Sequence, residues 1–327
     1  MRGEFVQTVL GRVPTTSLGP VDYHDHLFQV SPLLPGDELD DEARSSVEAA
    51  DLLASGFHTL LDATPVGLGR NPEAVARISV ATGLVVVSST GLHREAHYAP
   101  SDPLRGLEVA ERAALFVREL TVGQVADDEQ LRAGRAIDDL PIARTPEGQP
   151  VVAGLIKTGI DYWRISRFER DTLLAAAAAH RITGAPIMVH LEFCTAAHEL
   201  LDLLASEGVA LDKVALAHAD RDPDPELHLG LIARGAYVGY DGMARPKGDS
   251  EAVLLELTRE VVAGGGAHRV LLGADVARSS RYLAYGGMPG LRYLGQTYLP
   301  RLARRIPAEA LTRILVDNPA SLLARSD

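Results

Sequence analysis

The sequence predicts a (β/α)8 barrel that forms a single domain over residues 1–327. Two observations favour this fold class. Short apolar runs alternate along the chain with longer segments of helical spacing, and most of these runs end on an ionisable residue. Repeated strand-then-helix units indicate a parallel sheet covered by helices, because parallel strands need crossover connections. A chain of 327 residues is also within the size of one barrel.

Eight apolar runs, each bounded by turn residues, predict the strands. They cover residues 21–24, 59–62, 84–88, 151–157, 186–190, 213–218, 236–241 and 269–275. Between them lie segments with apolar residues at helical spacing, at residues 38–54, 72–82, 104–120, 167–180, 195–207, 225–234 and 250–264. The polar stretch 126–149 predicts a helix and loop insertion, since the alternation of strand and helix resumes after it.

The ends of these runs decide between a closed barrel and an open, doubly wound sheet. At least six of the eight runs end on His, Lys or Asp. In a barrel the carboxyl ends of the strands meet at one rim, and that rim carries the chemistry. An open sheet would spread the same residues along an edge, too far apart to form one site. The pattern therefore predicts a barrel with a site at its carboxyl-end rim.

Composition narrows the classes of function. The net charge is −12, and no stretch concentrates Lys and Arg strongly. This argues against nucleic acid and against an anionic membrane surface as partners, since both attract basic patches. Cys194 is the single cysteine, so an internal disulfide and a multi-cysteine zinc site are both ruled out. No apolar run approaches the roughly 18 residues of a membrane span, and we expect a soluble, cytoplasmic protein.

Four histidines at three predicted strand ends suggest a metal site. His24 and His26 form an H-x-H pair, and the two-residue period of a strand would point both imidazoles toward one cation. The alternative is a pair of polar residues at a strand exit. His190 and His218 end two further strands, and four independent core histidines would each need their own partners. Asp275 adds a carboxylate that can bind a metal and accept a proton.

Lys157 ends a further apolar strand and leaves three interpretations open. An unpaired ammonium beside divalent cations would be strongly disfavoured. The side chain is therefore either a structural lysine that extends toward solvent, a Schiff-base lysine with a lowered pKa, or a lysine that carbon dioxide has converted to a carbamate. The residues alone favour the structural interpretation.

Several motifs together resemble the phosphotriesterase family of the amidohydrolase superfamily. They are the segments Thr8-Val9-Leu10-Gly11, Leu18-Gly19, His24-Asp25-His26-Leu27-Phe28, Gly154-Leu155-Ile156-Lys157, His218-Ala219-Asp220 and Arg313-Ile314-Leu315-Val316-Asp317-Asn318-Pro319, together with the strand end at His190. The resemblance covers essentially the whole chain. It implies a (β/α)8 barrel with two divalent metal ions, bridged by a carbamylated lysine and a hydroxide.

The resemblance also implies roles for the individual residues. The more buried metal would be held by His24, His26 and Asp275, the more exposed one by His190 and His218, with carbamylated Lys157 as the bridge. Zinc is the expected metal, with manganese, cobalt or iron as alternatives. The hydroxide would attack the substrate, and Asp275 would accept its proton.

The chain departs from the family pattern after the seventh predicted strand. Some members carry a His or Arg directly after the Asp that ends this strand, whereas Gly242 follows Asp241 here. Arg245 could replace the missing group, whereas Lys247 is better explained as a solvated loop charge. The insertion at 126–149 is longer than expected of the phosphotriesterases themselves. The loop after Asp275 is closer to the phosphotriesterase-related branch, which includes lactonases.

Loops on the active rim supply the candidate substrate contacts. In lactone-hydrolysing relatives a tyrosine from the loop after the third strand can contact the substrate's carbonyl group, and Tyr98 is the corresponding candidate. His93 lies in the same loop, Trp163 follows Lys157 on the rim, and Arg245 completes the predicted substrate-binding set.

The expected activity is hydrolysis of an ester bond, in a lactone or carboxylic ester, with promiscuous phosphotriesterase activity as a secondary expectation. Two alternatives remain. A Schiff-base lyase would use Lys157 but leaves four strand-end histidines unexplained, and a non-catalytic binding protein would keep the barrel without turnover. Relatives are often homodimers, so a homodimer is a further hypothesis.

Overall fold

A computed structural model describes residues 4–243, 245 and 250–326 of the chain. Lys247 therefore lies outside the described residues. Ten strands are present within the described part: β1 Phe5–Thr8, β2 Gly11–Pro14, β3 Val21–Asp25, β4 Thr59–Asp62, β5 Val85–Gly91, β6 Leu155–Gly159, β7 Ile187–His190, β8 Val214–Ala217, β9 Tyr237–Tyr240 and β10 Val270–Leu272. The first two form an antiparallel hairpin.

Strands β3 to β10 form one parallel sheet in which each strand pairs with its neighbour in sequence. The two outer strands approach each other as well, because the backbone N–H of Asp275 donates to the carbonyl of His24 over 2.9 Å. The close approach requires Gly273, where a Cβ would lie 2.8 Å from the backbone nitrogen of His24. The sheet is therefore a nearly closed barrel, and the predicted (β/α)8 fold is confirmed.

Helices connect the strands and cover the outside of the barrel. Their bounds are α1 Glu42–Ala54, α2 Pro72–Thr82, α3 Val109–Thr121, α4 Asp128–Arg132, α5 Arg167–Thr183, α6 Ala197–Ser206, α7 Pro225–Ala233, α8 Glu251–Ala263, α9 Leu299–Leu302, α10 Ala308–Thr312 and α11 Asn318–Leu323. None of the described helices is long and apolar enough to cross a membrane.

Helix ends follow the local sequence. Helix α5 begins after Ser166, which forms a reciprocal capping box with Glu169, and ends at Gly184 in the left-handed region. Helix α3 was expected to begin near residue 104, but it begins at Val109, because Glu108 and Glu111 form a capping box there. The residues before it, Pro103–Gly106, form a separate 3-10 turn. Capping groups thus determine the residue at which a helix begins, whereas apolar spacing predicts it only approximately.

The barrel interior is packed separately from the layer between strands and helices. Leu155 belongs to the interior cluster whereas Ile156 belongs to the outer core, as expected for side chains that alternate along a barrel strand. The same alternation puts Lys157 on the interior side. Val6 and Leu322 also join the interior cluster, so the hairpin and α11 cover the end of the barrel opposite the rim that carries the polar residues.

Candidate metal centre

The structure brings the six predicted ligands together at the carboxyl-end rim. His24 lies at the end of β3, with its ring centroid 5.5 Å from that of His26 and 4.9 Å from that of His218. The rings of His190 and His218 are 4.5 Å apart. Asp275 Oδ1 lies 3.5 Å from Nε2 of His26, and its Oδ2 lies 3.7 Å from Nδ1 of His218. All these side chains are buried.

Irregular backbone at three strand ends helps to aim these side chains. The pairing of β3 with β4 shifts register between Asp22 and Asp25, the interval that contains His24. His218 and Asp275 have φ values of 62° and 44°, in the left-handed region that non-glycine residues seldom adopt. Such strain persists only where surrounding contacts impose it, and it concentrates at functional sites.

Three of the four histidines, His24, His26 and His218, have Nδ1 held by a neighbouring side chain. Asp241 Oδ1 lies 2.6 Å from Nδ1 of His218, and its Oδ2 lies 3.1 Å from Nδ1 of His24. Nδ1 of His26 lies 2.7 Å from Oγ1 of Thr64. Carboxylate or hydroxyl partners of this kind set the tautomer and orientation of metal-binding imidazoles. The other nitrogen of each ring, Nε2, is therefore the one that a cation could bind; in His24 it contacts Nζ of Lys157.

These contacts agree with the donor set that a divalent metal ion needs. One ligand atom each of His24, His26 and Asp275 lie within 4.8 Å of one another, and so do those of His24, His218 and Asp241. Burial lowers the pKa of His24 to about 3 and that of His26 to about 4. The imidazoles are therefore neutral near pH 7, which is the form that binds metal. The cluster of nitrogen and oxygen donors fits zinc and similar cations.

Burial also holds the pKa of His190 and His218 well below the usual value. Lys157 is fully buried, and burial lowers the pKa of its amine to about 7. Its Nζ lies 3.2 Å from Nε2 of His24 and 3.4 Å from Sδ of Met188, neither of which carries a negative charge. A substantial fraction of Lys157 is therefore a neutral amine near pH 7, the form that reacts with carbon dioxide or with a carbonyl group.

A cavity of about 330 Å³ opens above the cluster. Among the described residues, five arginines contribute to its wall: Arg94, Arg221, Arg245, Arg278 and Arg281. Arg245 pairs with Asp275 and Arg94 with Glu192, whereas Arg278 and Arg281 lie on the segment after β10. The cavity is therefore positive although the chain as a whole carries a net charge of −12. Of these five arginines, only Arg245 was predicted from the sequence, because an arginine in a loop carries no periodic signal.

The predicted substrate-binding residues divide into two groups. His93 and Arg245 line the cavity, and the ring of His93 lies 4.6 Å from that of His190. Tyr98 does not line it: its hydroxyl donates to the carbonyl of Val66 and accepts from the backbone N–H of His93, each over 2.9 Å. Tyr98 is thus buried behind this loop, whereas the sequence predicted that it contacts the substrate.

Trp163 does not line the cavity either. Its side chain is 67% exposed, and its ring packs edge-on against Tyr162 on the outer surface of the rim. Asp241, Glu192 and Thr64 were not predicted as site residues. Asp241 could have been included, since it ends a predicted strand in the same way as the ligands.

Comparison with known proteins agrees with this geometry. A family model described as the phosphotriesterase family matches residues 4–323. The chain is 29% identical to a phospho-furanose lactonase of Mycoplasmopsis synoviae (strain 53), over 99% of this chain and 93% of the relative. It is 30% identical to a phosphotriesterase homology protein of Escherichia coli (strain K12), over 86% of this chain and 89% of the relative.

Solved structures show the same likeness. A lactonase from Listeria monocytogenes superposes with a TM-score of 0.84 at 27% identity, covering 98% of each chain. An amidohydrolase from Mycoplasma synoviae superposes with a TM-score of 0.89 at 28% identity, covering all of this chain and 93% of the other. The phosphotriesterase-family match and the lactonase relatives, which span nearly the whole chain, define a hydrolase that acts on ester bonds. The rim supplies histidine and aspartate groups suited to metal ions. The chain belongs to the phosphotriesterase family.

Proposed function

We propose that the protein is a binuclear metal-dependent lactonase whose substrate carries an anionic group, such as the phosphate of a phosphorylated furanose lactone. The observation that carries this proposal is the arginine-rich cavity directly above the histidine and aspartate cluster. The phospho-furanose lactonase names of the relatives from two Mycoplasmopsis species support the same substrate class.

In the proposed site, His24, His26 and Asp275 would hold one divalent ion, and His190 and His218 would hold the second. Lys157, as a carbamate, would supply an anionic ligand at the same site; the lowered pKa of its buried amine supports this, because only the neutral amine adds to carbon dioxide. Zinc is the proposed metal, with manganese, cobalt or iron as alternatives. When bound, the two ions lower the pKa of a water molecule and polarise the ester carbonyl.

The chain's own groups then orient the substrate and move the proton. Asp275 is the proposed proton acceptor, and its charge is balanced by Arg245. His93 Nδ1 accepts the backbone N–H of Arg94 over 2.8 Å, so the neutral imidazole carries its proton on Nε2. Burial holds the pKa of His93 well below the usual value, which keeps the ring neutral near pH 7. The Nε2–H group is therefore available to donate to an ester oxygen in the cavity.

Arg278 and Arg281 are the proposed contacts for the anionic substituent. Arg94 and Arg221 share the carboxylate of Glu192, at 3.1 Å and 3.6 Å. Arg281, by contrast, has its pKa lowered by burial and by the neighbouring charge of Arg278. A phosphate between the two guanidinium groups would relieve that repulsion through charge-assisted hydrogen bonds. An uncharged phosphotriester could not, which favours an anionic lactone as substrate and leaves phosphotriester hydrolysis as a secondary activity.

Steady-state kinetics on one metal-loaded sample tests the proposal. The substrates are a phosphorylated furanose lactone, the same lactone without phosphate, a neutral carboxylic ester and a phosphotriester. We expect the phosphorylated lactone to have the highest kcat/KM. Arg281→Gln should lower that value by about 10- to 100-fold, which corresponds to the loss of one hydrogen bond to a charged group. The same substitution should leave kcat/KM for the unphosphorylated lactone unchanged. Arg167→Gln, at a side chain that is 93% exposed, is the matched control.

Three results would contradict parts of this proposal. Equal kcat/KM for the two lactones, with no effect of Arg281→Gln, would rule out recognition of the phosphate. Turnover of the ester or phosphotriester alone would rule out a lactone substrate. Binding of the lactone without turnover of any substrate, in protein that holds both ions, would favour the non-catalytic binding protein.

A further inference from the structure

Glu192 directly contacts one of the proposed metal ligands. It follows β7, two residues after His190, and its Oε1 lies 2.7 Å from Nε2 of His190. The glutamate side chain is only 16% exposed. The contact is therefore a partly buried hydrogen bond in which the imidazole N–H donates to a carboxylate, a type that is stronger than a neutral one.

The carboxylate of Glu192 is itself fixed from two sides. Nη2 of Arg94 lies 3.1 Å from Oε1, and Nη1 of Arg221 lies 3.6 Å from Oε2. Arg94 is anchored in turn by Asp161, at 3.0 Å on the segment after β6. Two positive groups therefore flank the side chain, whose carboxylate oxygens accept hydrogen bonds. It thus requires a proton on the facing nitrogen of His190.

The backbone that carries Glu192 is held as well. The carbonyl of Glu192 accepts the hydroxyl of Thr195 over 2.6 Å, and the same hydroxyl oxygen accepts the backbone N–H of Trp163 over 3.0 Å. Phe193 and Cys194 have φ values of 52° and 53°, so this turn is strained. These hydrogen bonds therefore restrict the position of the Glu192 carboxylate.

This arrangement determines which nitrogen His190 offers to a cation. With the proton of a neutral imidazole on Nε2, the lone pair lies on Nδ1. His24 and His218 are oriented the other way, because Asp241 holds their Nδ1 atoms. Two different carboxylates thus select opposite tautomers on neighbouring ligands. Among the described contacts of the His190 ring, the hydrogen bond to Glu192 is the one that selects the Nε2–H form.

We propose that Glu192 is a positioning residue for the more exposed metal ion, which it serves by presenting Nδ1 of His190. The inference rests on the proposed two-metal site. It predicts that Glu192 acts through the imidazole and not as a ligand, so a side chain that keeps the hydrogen-bond acceptor but loses the charge should retain most of the effect.

Zinc affinity of the full chain, measured by competition with a chelator, tests this. The wild type should show two binding events. Glu192→Ala should lower the zinc affinity of one event by about 10- to 100-fold, the usual effect of removing a residue that hydrogen-bonds to a metal ligand. The affinity of the other event should not change. Glu192→Gln should stay within about threefold of the wild type, since its amide oxygen can still accept the Nε2 proton. Glu256→Gln, at an exposed ion pair on α8, should change neither event.

The tautomer of His190 gives a readout that does not depend on activity or on the folding of a variant. Nitrogen NMR of the wild type should show the proton on Nε2; a proton on Nδ1 would overturn the proposal. Parental zinc affinity in Glu192→Ala, equal weakening in the Ala and Gln variants, or equal loss of both ions would also overturn it. A single binding event in the wild type would instead reject the two-metal site itself, and this inference with it.

Discussion

Asp241 Oδ1 lies 2.6 Å from Nδ1 of His218, and both side chains are fully enclosed at the rim. The other carboxylate oxygen lies 3.1 Å from Nδ1 of His24 and also accepts the hydroxyl of Tyr23. One carboxylate therefore orients imidazoles from the two strand ends β3 and β8. In both rings Nε2 is the nitrogen turned toward the proposed cation site, so Asp241 would orient two of its ligands.

Asp241→Asn should weaken metal binding at both sites that use these imidazoles. An asparagine offers one acceptor oxygen, and its NH2 group would face the N–H of the second ring and force the proton to the other nitrogen. We expect a loss of about 10- to 100-fold in zinc affinity, measured by chelator competition. Asp222→Asn, at a partly exposed carboxyl in the loop after β8, is the matched control. Parental affinity in Asp241→Asn would show that the carboxylate is dispensable for metal binding.

Asp275→Asn should reduce turnover much more than stability. The change preserves the shape of the side chain but removes the proposed proton acceptor beside Arg245. We expect kcat to fall by about 10²- to 10⁴-fold, the usual loss when acid–base help is removed. Kinetics on a good lactone, metal analysis and thermal unfolding should be run on the same sample. A variant that turns over at the parental rate with both ions bound would rule out this role.

Lys157→Ala should abolish turnover, and bicarbonate or a short carboxylic acid should restore part of it by replacing the carbamate. The amine that the variant lacks is fully buried, with its pKa lowered to about 7 by that burial. A Schiff-base enzyme has the same need for a neutral amine, so the two hypotheses require a separate test. Borohydride with a carbonyl substrate should give no covalent adduct in the wild type. An adduct mapped to Lys157, and not to Lys213, would establish the lyase instead.

His228 should make the metal-free protein less stable in acid. Its Nδ1 lies 2.8 Å from the hydroxyl of Tyr240, its Nε2 lies 3.0 Å from the carbonyl of Ala219, and burial lowers its pKa to about 4. An unfolded histidine titrates near pH 6.5, so between pH 6.5 and 4 the unfolded chain binds a proton that the folded chain does not. The free energy of unfolding therefore decreases as the pH is lowered from 6.5 to 4. Below about pH 4, His228 causes no further loss of stability.

The measurement is the free energy of unfolding by denaturant at pH 7.5 and at pH 4.5, with chelator present. His228→Gln should shrink the difference between the two values by about 2.5 kcal/mol, since each unit of pKa shift corresponds to roughly 1.4 kcal/mol and nearly two units fall within this pH range. His198→Gln, at an exposed histidine on α6, should leave the difference unchanged. An undiminished difference in His228→Gln would show that this imidazole is protonated in the folded protein.

Local pattern in the sequence was enough to predict the strands and the order of the proposed ligands. The run at 59–62 was predicted with its observed bounds, and the other seven differ by a few residues. Lys157 and His190 could be assigned to one rim because the carboxyl ends of parallel strands meet there, which depends only on strand position and direction. A two-residue period and a turn residue are short-range signals, so they can be read from neighbouring residues alone.

Only the tertiary structure decided which side chains face the cavity and which support it. Tyr98 and His93 lie five residues apart in one loop, yet the hydroxyl of Tyr98 is taken by the carbonyl of Val66, and His93 takes the place beside His190. Asp241 contacts His24, which lies 217 positions away in the sequence. Arg281 lines the cavity although its loop has no periodic pattern. Such placements follow from hydrogen bonds and ion pairs between distant segments, and these exist only once the barrel has closed.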